Sequence, residues 1–138
     1  MSLDMYAEQI LDYYKNPHNF GEIKNAQIHA RDLNPLCGDE IEIFANVEID
    51  RSRGAASLLS QKISEIKFRG AGCAISMASA SMLTETVKGK NISEVMKMGE
   101  KEILEMLGID VSPARKKCAM LGLWVLQTGV KKFLDRNG

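Results

Sequence analysis

The sequence predicts an α+β protein: a small three-stranded antiparallel sheet packed with helices, one helix before the strands and three after them. Three observations carry this. Apolar residues recur at every second position over residues 41–49, and Ile66 and Phe68 alternate with Glu65 and Lys67 within 63–69, the period of half-buried strands. From Ala74 onward the apolar spacing becomes helical. The order of helix, then strands, then helices is the layout of a sheet covered by segregated helices.

Taken in order, the first element is a helix over Asp4 to Lys15, with Tyr6, Ile10, Tyr13 and Tyr14 at helix-like spacing. It ends at Asn16-Pro17, because the residue before proline is pushed out of the helical region. Residues 27–32 form an edge strand. In the next strand Ile41, Ile43, Ala45, Val47 and Ile49 alternate with Glu42, Phe44, Asn46 and Glu48. The third runs from Ile63 to Arg69, and the stretch Arg51 to Ser60, with Gly54 and several serines, joins the two as a loop. A helix over Ala74 to Lys88 stops at Gly89. Asn91 or Ser93 caps the next one, whose stripe is Ile92, Val95, Met96, Ile103, Leu104 and Leu107, and Gly108 closes it. Ser112-Pro113 starts the last helix, an N-cap followed by proline at the first helical position, and it continues to about Asp135.

The 138 residues suit one domain, 1–138, with a core of its own. Eighteen basic residues balance 18 acidic ones, which argues against a general nucleic-acid binder. No apolar run approaches the roughly 20 residues of a membrane span, and the N-terminus lacks the pattern of a secretory signal. The expected location is therefore the cytoplasm. Three cysteines, an odd number, fit a reducing compartment in which they stay thiols and act as ligands, nucleophiles or buried apolar groups.

Their contexts differ from core filler. Cys37 sits in Asn34-Pro35-Leu36-Cys37-Gly38-Asp39, where Gly38 frees the backbone between two candidate ligands, Cys37 and Asp39. Cys73 follows Gly70-Ala71-Gly72 at a helix N-terminus, where exposed amides and the helix dipole favour negative charge. Cys118 lies in the second turn of the last helix, three residues after Arg115. Three thiolates and a carboxylate form a donor set suited to iron–sulfur or zinc, although the spacing matches no compact CxxC pattern. Three unrelated buried thiols remain the alternative on context alone.

Five segments carry a resemblance: Tyr14-Lys15-Asn16-Pro17-His18-Asn19-Phe20-Gly21, Asn34-Pro35-Leu36-Cys37-Gly38-Asp39, Gly72-Cys73-Ala74-Ile75-Ser76, Val87-Lys88-Gly89-Lys90 and Pro113-Ala114-Arg115-Lys116-Lys117-Cys118. In order and over nearly the whole length, the chain resembles the U-type iron–sulfur cluster assembly scaffolds (IscU, SufU and the N-terminal domain of NifU). The resemblance implies that Cys37, Asp39, Cys73 and Cys118 hold a cluster, expected as [2Fe–2S], with zinc as the alternative occupant. It implies a pyridoxal-phosphate cysteine desulfurase as sulfur source, a separate iron donor, and apo iron–sulfur proteins as recipients. It also leaves room for a homo-oligomer in which two chains share one cluster. A scaffold of this kind is a carrier rather than an enzyme.

Two positions depart from the family pattern. Lys117 stands where the IscU branch has a histidine before the third cysteine; the Pro-Ala-Arg and Lys-Cys pairing instead resembles the zinc-binding, sulfur-passing SufU branch. The interval from Cys73 to Cys118 nonetheless lacks that branch's extra segment. The proline-rich chaperone motif of the IscU branch is absent around Ser112-Pro113, so the resemblance implies no dedicated Hsp70 partner.

The rival reading is a zinc-containing sulfurtransferase in which Cys118 leaves the metal, accepts persulfide sulfur and passes it on; a structural zinc protein is a third. Asp39, the hardest donor of the set, is expected to be the point through which a cluster leaves. His18 and His29 read as surface residues, most methionines as core packing, and Arg115-Lys116-Lys117 as a solvated helix start.

Overall fold

The computed structural model describes residues 2–35, 38–49 and 60–137, with side chains from residue 8 onward. Its elements are α1 (Ser2–Lys15), β1 (Ile28–Asn34), β2 (Asp39–Glu48), β3 (Lys62–Ala71), α2 (Ala74–Val87), α3 (Ile92–Lys97), α4 (Glu100–Leu107) and α5 (Pro113–Asn137). The strands form one antiparallel sheet in the order β1-β2-β3. The expected α+β architecture is therefore present. The expected loop over residues 51–60 lies, apart from Ser60, outside the described residues.

One expected helix is two. The stripe from Ile92 to Leu107 is interrupted at Met98 and Gly99, so four helices follow the sheet. Two interactions make the break. The Gln127 Nε2 of α5 donates to the carbonyls of Val95 (3.1 Å) and Met98 (2.9 Å), ending α3. The Glu102 side chain then accepts the Gly99 N–H at 2.5 Å, starting α4.

Odd-numbered residues of β2 from Asp39 to Val47 point to the helical side and are buried, as the alternation predicts. Ile49, expected to belong to this strand, falls after it and is exposed. On the opposite face β2 is polar with one exception. Phe44 is buried there under the His29 ring, stacked at 4.7 Å between centroids, and beneath the Arg69 guanidinium. Glu42 accepts from His29 Nε2 at 2.5 Å and from Arg69 Nε at 2.7 Å, and Arg69 also donates to Glu22. Burial pushes the Glu42 carboxyl up, but the hydrogen bonds from Arg69 and His29 outweigh it and hold the carboxyl below its ordinary range. Both histidines are surface residues, His18 facing Glu85 and His29 facing Glu42.

Helix α2 is the centre of the molecule. Every residue from Ser76 to Thr84 is buried, so this stretch of the helix lacks a solvent face and its small Ala and Ser side chains let neighbours approach closely. Helix α5 crosses β1 with equal closeness: a Cβ on Gly129 would lie 3.0 Å from Ile28 Cγ2 and 3.2 Å from Ala30 Cβ. The segment after α1 fastens α2 to the sheet edge. His18 N–H donates to Ser81 Oγ (2.7 Å) and Asn19 Nδ2 to Thr84 Oγ1 (3.0 Å). Phe68 N–H donates to the Asn19 carbonyl, and Gly21 N–H to the Phe68 carbonyl. Phe20 packs edge-on against Phe68. Met77, Met82 and Met120 are buried, and Met96, Met98 and Met106 pack against the core, as expected.

Candidate metal centre

Three elements deliver side chains to one point. Asp39 opens β2 and is 0% exposed, Cys73 caps α2 directly after β3, and Cys118 sits in the second turn of α5, also 0% exposed. One carboxylate oxygen and the two sulfurs all lie within 4.8 Å of one another. Three of the four residues singled out from the sequence therefore converge. The fourth, Cys37, lies outside the described residues.

Local geometry explains the convergence. Asp39 pairs with Asn34 at the mouth of the β1–β2 hairpin, on the helical side of the sheet. Its Oδ1 accepts the backbone N–H of Cys73 at 2.8 Å, which joins the start of β2 to the end of the β3–α2 turn. Its Oδ2 lies 4.0 Å from the Cys73 sulfur. With one oxygen held by an amide, the other is the one turned toward the sulfur.

The chain reaches this geometry through two glycines at close approach. A side chain at Gly70 would overlap the carbonyl oxygen of Glu40 on the neighbouring strand. At Gly72 a Cβ would collide with Asp39 Oδ1 and lie 2.7 Å from Ser76 Oγ. Both glycines are thus required by close approach.

Helix α2 places both sulfurs. Cys73 has extended backbone geometry at the N-cap, and its sulfur accepts the N–H of Ser76 at 3.5 Å, so the positive end of the helix faces the sulfur. Farther along, the Ser79 hydroxyl donates to the carbonyl of Ala119 at 2.7 Å, tying the turn that carries Cys118 to α2. Arg115, three residues before Cys118, is exposed, whereas the cysteine is buried. Lys116 reaches toward Glu100 instead.

Beside the cluster lies a groove of about 320 Å³ between the end of β1 and α5, lined by Leu33, Pro35, Lys117, Leu121 and Trp124. Leu33 (51%) and Trp124 (45%) are well exposed there, so apolar surface adjoins the donor atoms. Sequence reading missed this groove, because Leu33 lies past the strand expected over 27–32 and Trp124 sits among the buried residues of α5. It also missed Ser76, whose only signal was its place three residues after Cys73. Among the described residues no helix is long and apolar enough to cross a membrane.

Comparison with known proteins identifies the family. The family model of the NifU-like N-terminal domain matches residues 5–138. Iron-sulfur cluster assembly scaffold protein IscU 1 of Archaeoglobus fulgidus is 32% identical over 134 residues, covering 97% of this chain and 80% of the relative. Zinc-dependent sulfurtransferase SufU of Bacillus subtilis is 34% identical over 145 residues, covering 93% and 90%. Among solved structures, FiSufU of the SUF system from Fervidobacterium islandicum AW-1 superposes with a TM-score of 0.70 at 29% identity, covering 94% of this chain and 99% of its own.

Proposed function

Because the chain belongs to the NifU-like N-terminal domain family, we propose that it is a scaffold on which iron–sulfur clusters are assembled and from which they pass to other proteins. The cluster is cargo. Cys37, Asp39, Cys73 and Cys118 are its proposed ligands, a cysteine desulfurase supplies sulfur, an iron donor supplies iron, and apo-proteins are the recipients. The proposed cargo is [2Fe–2S] and the proposed location the cytoplasm, with the chain acting as carrier rather than catalyst.

The observation that carries this reading is the convergence of Asp39, Cys73 and Cys118 within 4.8 Å from three separate elements. Packing alone does not require a carboxylate at 0% exposure beside two thiols. The donor types fit the cargo: thiolates are soft and suit iron–sulfur, and the single hard carboxylate oxygen is the weakest bond of the set. The same donors fit zinc.

Zinc supports the second reading, since one relative is named a zinc-dependent sulfurtransferase. Bound zinc would hold the thiolates together and keep them deprotonated. In that reading the Cys118 thiolate attacks the terminal sulfur of a donor persulfide; the donor's S–S bond breaks, its thiolate leaves, and Cys118 carries the new persulfide. Because Cys118 is buried, the α5 turn must open for this exchange.

The deciding experiment is metal and acid-labile sulfide analysis, with a visible spectrum, on protein purified without oxygen. Iron and sulfide in near-equal amounts with thiolate-to-iron absorption support the scaffold. One zinc per chain without sulfide favours the sulfurtransferase, and Cys118→Ser then loses sulfur loading while keeping its fold. A chain that holds neither cargo nor zinc overturns both readings.

A further inference from the structure

We propose that Ser76 is a positioning residue for the Cys73 sulfur, its hydroxyl accepting from the sulfur in the thiol state and donating to it in the ligand state. The proposal rests on the reading of Cys73 as a ligand.

Ser76 is 0% exposed in the first turn of α2, three residues after Cys73. Its hydroxyl has two neighbours on that one residue. It donates to the Cys73 carbonyl at 3.1 Å, and its oxygen can accept the Cys73 thiol proton across 3.8 Å, with Asp39 Oδ2 at 4.0 Å as the other acceptor of that proton. A hydroxyl has one proton, so in the thiol state its donor is committed to the carbonyl while its lone pairs face the sulfur.

Ligation removes the sulfur's proton. The sulfur then changes from donor to acceptor, and the Ser76 oxygen loses the proton it was accepting. Rotation about the Cβ–Oγ bond supplies the sulfur with a donor by swinging the hydroxyl proton from the carbonyl to the sulfur. The carbonyl is not stranded, because it also accepts the Met77 N–H at 3.1 Å, the first bond of the helix. With the Ser76 N–H already directed at the sulfur, the ligand state gains a second donor from the same residue. Hydrogen bonds to a coordinated sulfur tune its donor strength and hold its orientation.

Two features separate this from an ordinary helical serine bonding back to an upstream carbonyl. That carbonyl has its helical partner and does not need the hydroxyl. The hydroxyl also occupies space that exists only because residue 72 is glycine. Ser79 offers an internal comparison: it is buried on the same helix, but its hydroxyl serves the Ala119 carbonyl.

The test uses Co(II) as an optical probe on the full chain, prepared metal-free without oxygen, in the unsubstituted protein, Ser76→Ala, Ser76→Thr and Thr86→Ala, whose hydroxyl donates to the Met82 carbonyl at 3.0 Å, far along α2 from the donors. Ser76→Ala is expected to bind the same amount of cobalt about tenfold more weakly in competition with a chelator. Its thiolate-to-cobalt band is expected to move to lower energy, because an undonated sulfur gives up charge more readily. Ser76→Thr restores both. Thr86→Ala, which removes an ordinary back-bonded helical hydroxyl, leaves band and affinity unchanged. If the added methyl keeps the threonine variant from folding, the contrast between the two alanine variants decides. A wild-type band and affinity in Ser76→Ala overturns the proposal, as does an equal band shift in Thr86→Ala. No thiolate band in the unsubstituted protein overturns the ligand reading itself, and the role of Ser76 with it.

Discussion

Replacing Gly72 by alanine tests how tightly the centre is built. The added carbon would overlap Asp39 Oδ1 and press Ser76 Oγ at 2.7 Å. Neither oxygen can yield freely: both residues are 0% exposed, and Asp39 Oδ1 is tied to the Cys73 amide at 2.8 Å. Losing a hydrogen bond to a charged group costs about 1.5–3 kcal/mol. Overpacking adds about 1–3 kcal/mol, and the stiffer unfolded chain returns about 0.4–1 kcal/mol. The net is a loss of about 3 kcal/mol. With an unfolding entropy of about 2 cal/mol/K per residue, a chain of 138 residues loses about 3–4 °C per kcal/mol, hence about 10 °C in Tm.

Gly89→Ala is the matched control. Gly89 has φ +89° with open space around its Cα, so alanine there meets only backbone strain, about 1 kcal/mol or about 3 °C. Thermal unfolding of the metal-free chains, with zinc affinity by chelator competition, provides the assay. Gly72→Ala is expected to lose both stability and affinity, and Gly89→Ala only a little stability. If Gly72→Ala unfolds within about 3 °C of the parent and binds zinc unchanged, Asp39 is not pinned in the manner described.

Two further perturbations separate cargo chemistry from fold. Asp39→Ala, lacking the weakest donor, is expected to surrender a reconstituted cluster to a chelator more slowly than the parent; faster loss sinks the idea of Asp39 as the exit point. Glu42→Gln addresses acid stability. The Glu42 carboxyl titrates lower in the folded chain than in the unfolded one, after the bonds from Arg69 and His29 outweigh burial. Its contribution is therefore full above the unfolded value of about 4.3 and is lost as pH falls through the folded value. Urea midpoints taken from pH 7 down to pH 3 should fall less steeply in Glu42→Gln; parallel curves would show that the contact contributes nothing.

The strands were legible because one face of the sheet is covered, and burial writes period 2 directly into β2 and β3. The helix caps at Asn91 and Gly108 were legible because each is a local contact: Asn91 Oδ1 accepts the Glu94 N–H, and Gly108 takes the left-handed conformation. The break at Met98–Gly99 was not, since Gln127 makes it from 29 residues away while the apolar stripe runs on through the gap. Phe44 misled for a similar reason. It lies on the polar face and is buried only because His29 and Arg69, from two other strands, cover it. At the metal centre, context marked the cysteines and resemblance supplied the set. The bond that assembles it, Cys73 to Asp39 across 34 residues, has no local signature.

That long-range dependence gives the segment Asn16 to Gly21 a physical reason to be there, although it contributes no side chain to the donor cluster among the described residues. Donor positions at Cys73 and Cys118 are both set by α2, one through its first turn and the other through Ser79. Displacing α2 along its axis by a single residue would move these contacts by about 1.5 Å, enough to separate Cys73 from Asp39. His18 and Asn19 hold the helix at Ser81 and Thr84, and the same segment is hydrogen-bonded to Phe68 of β3, whose far end leads into Cys73. The loop thus fixes the helix relative to the strand that feeds it. The donor cluster inherits its spacing from that fixation.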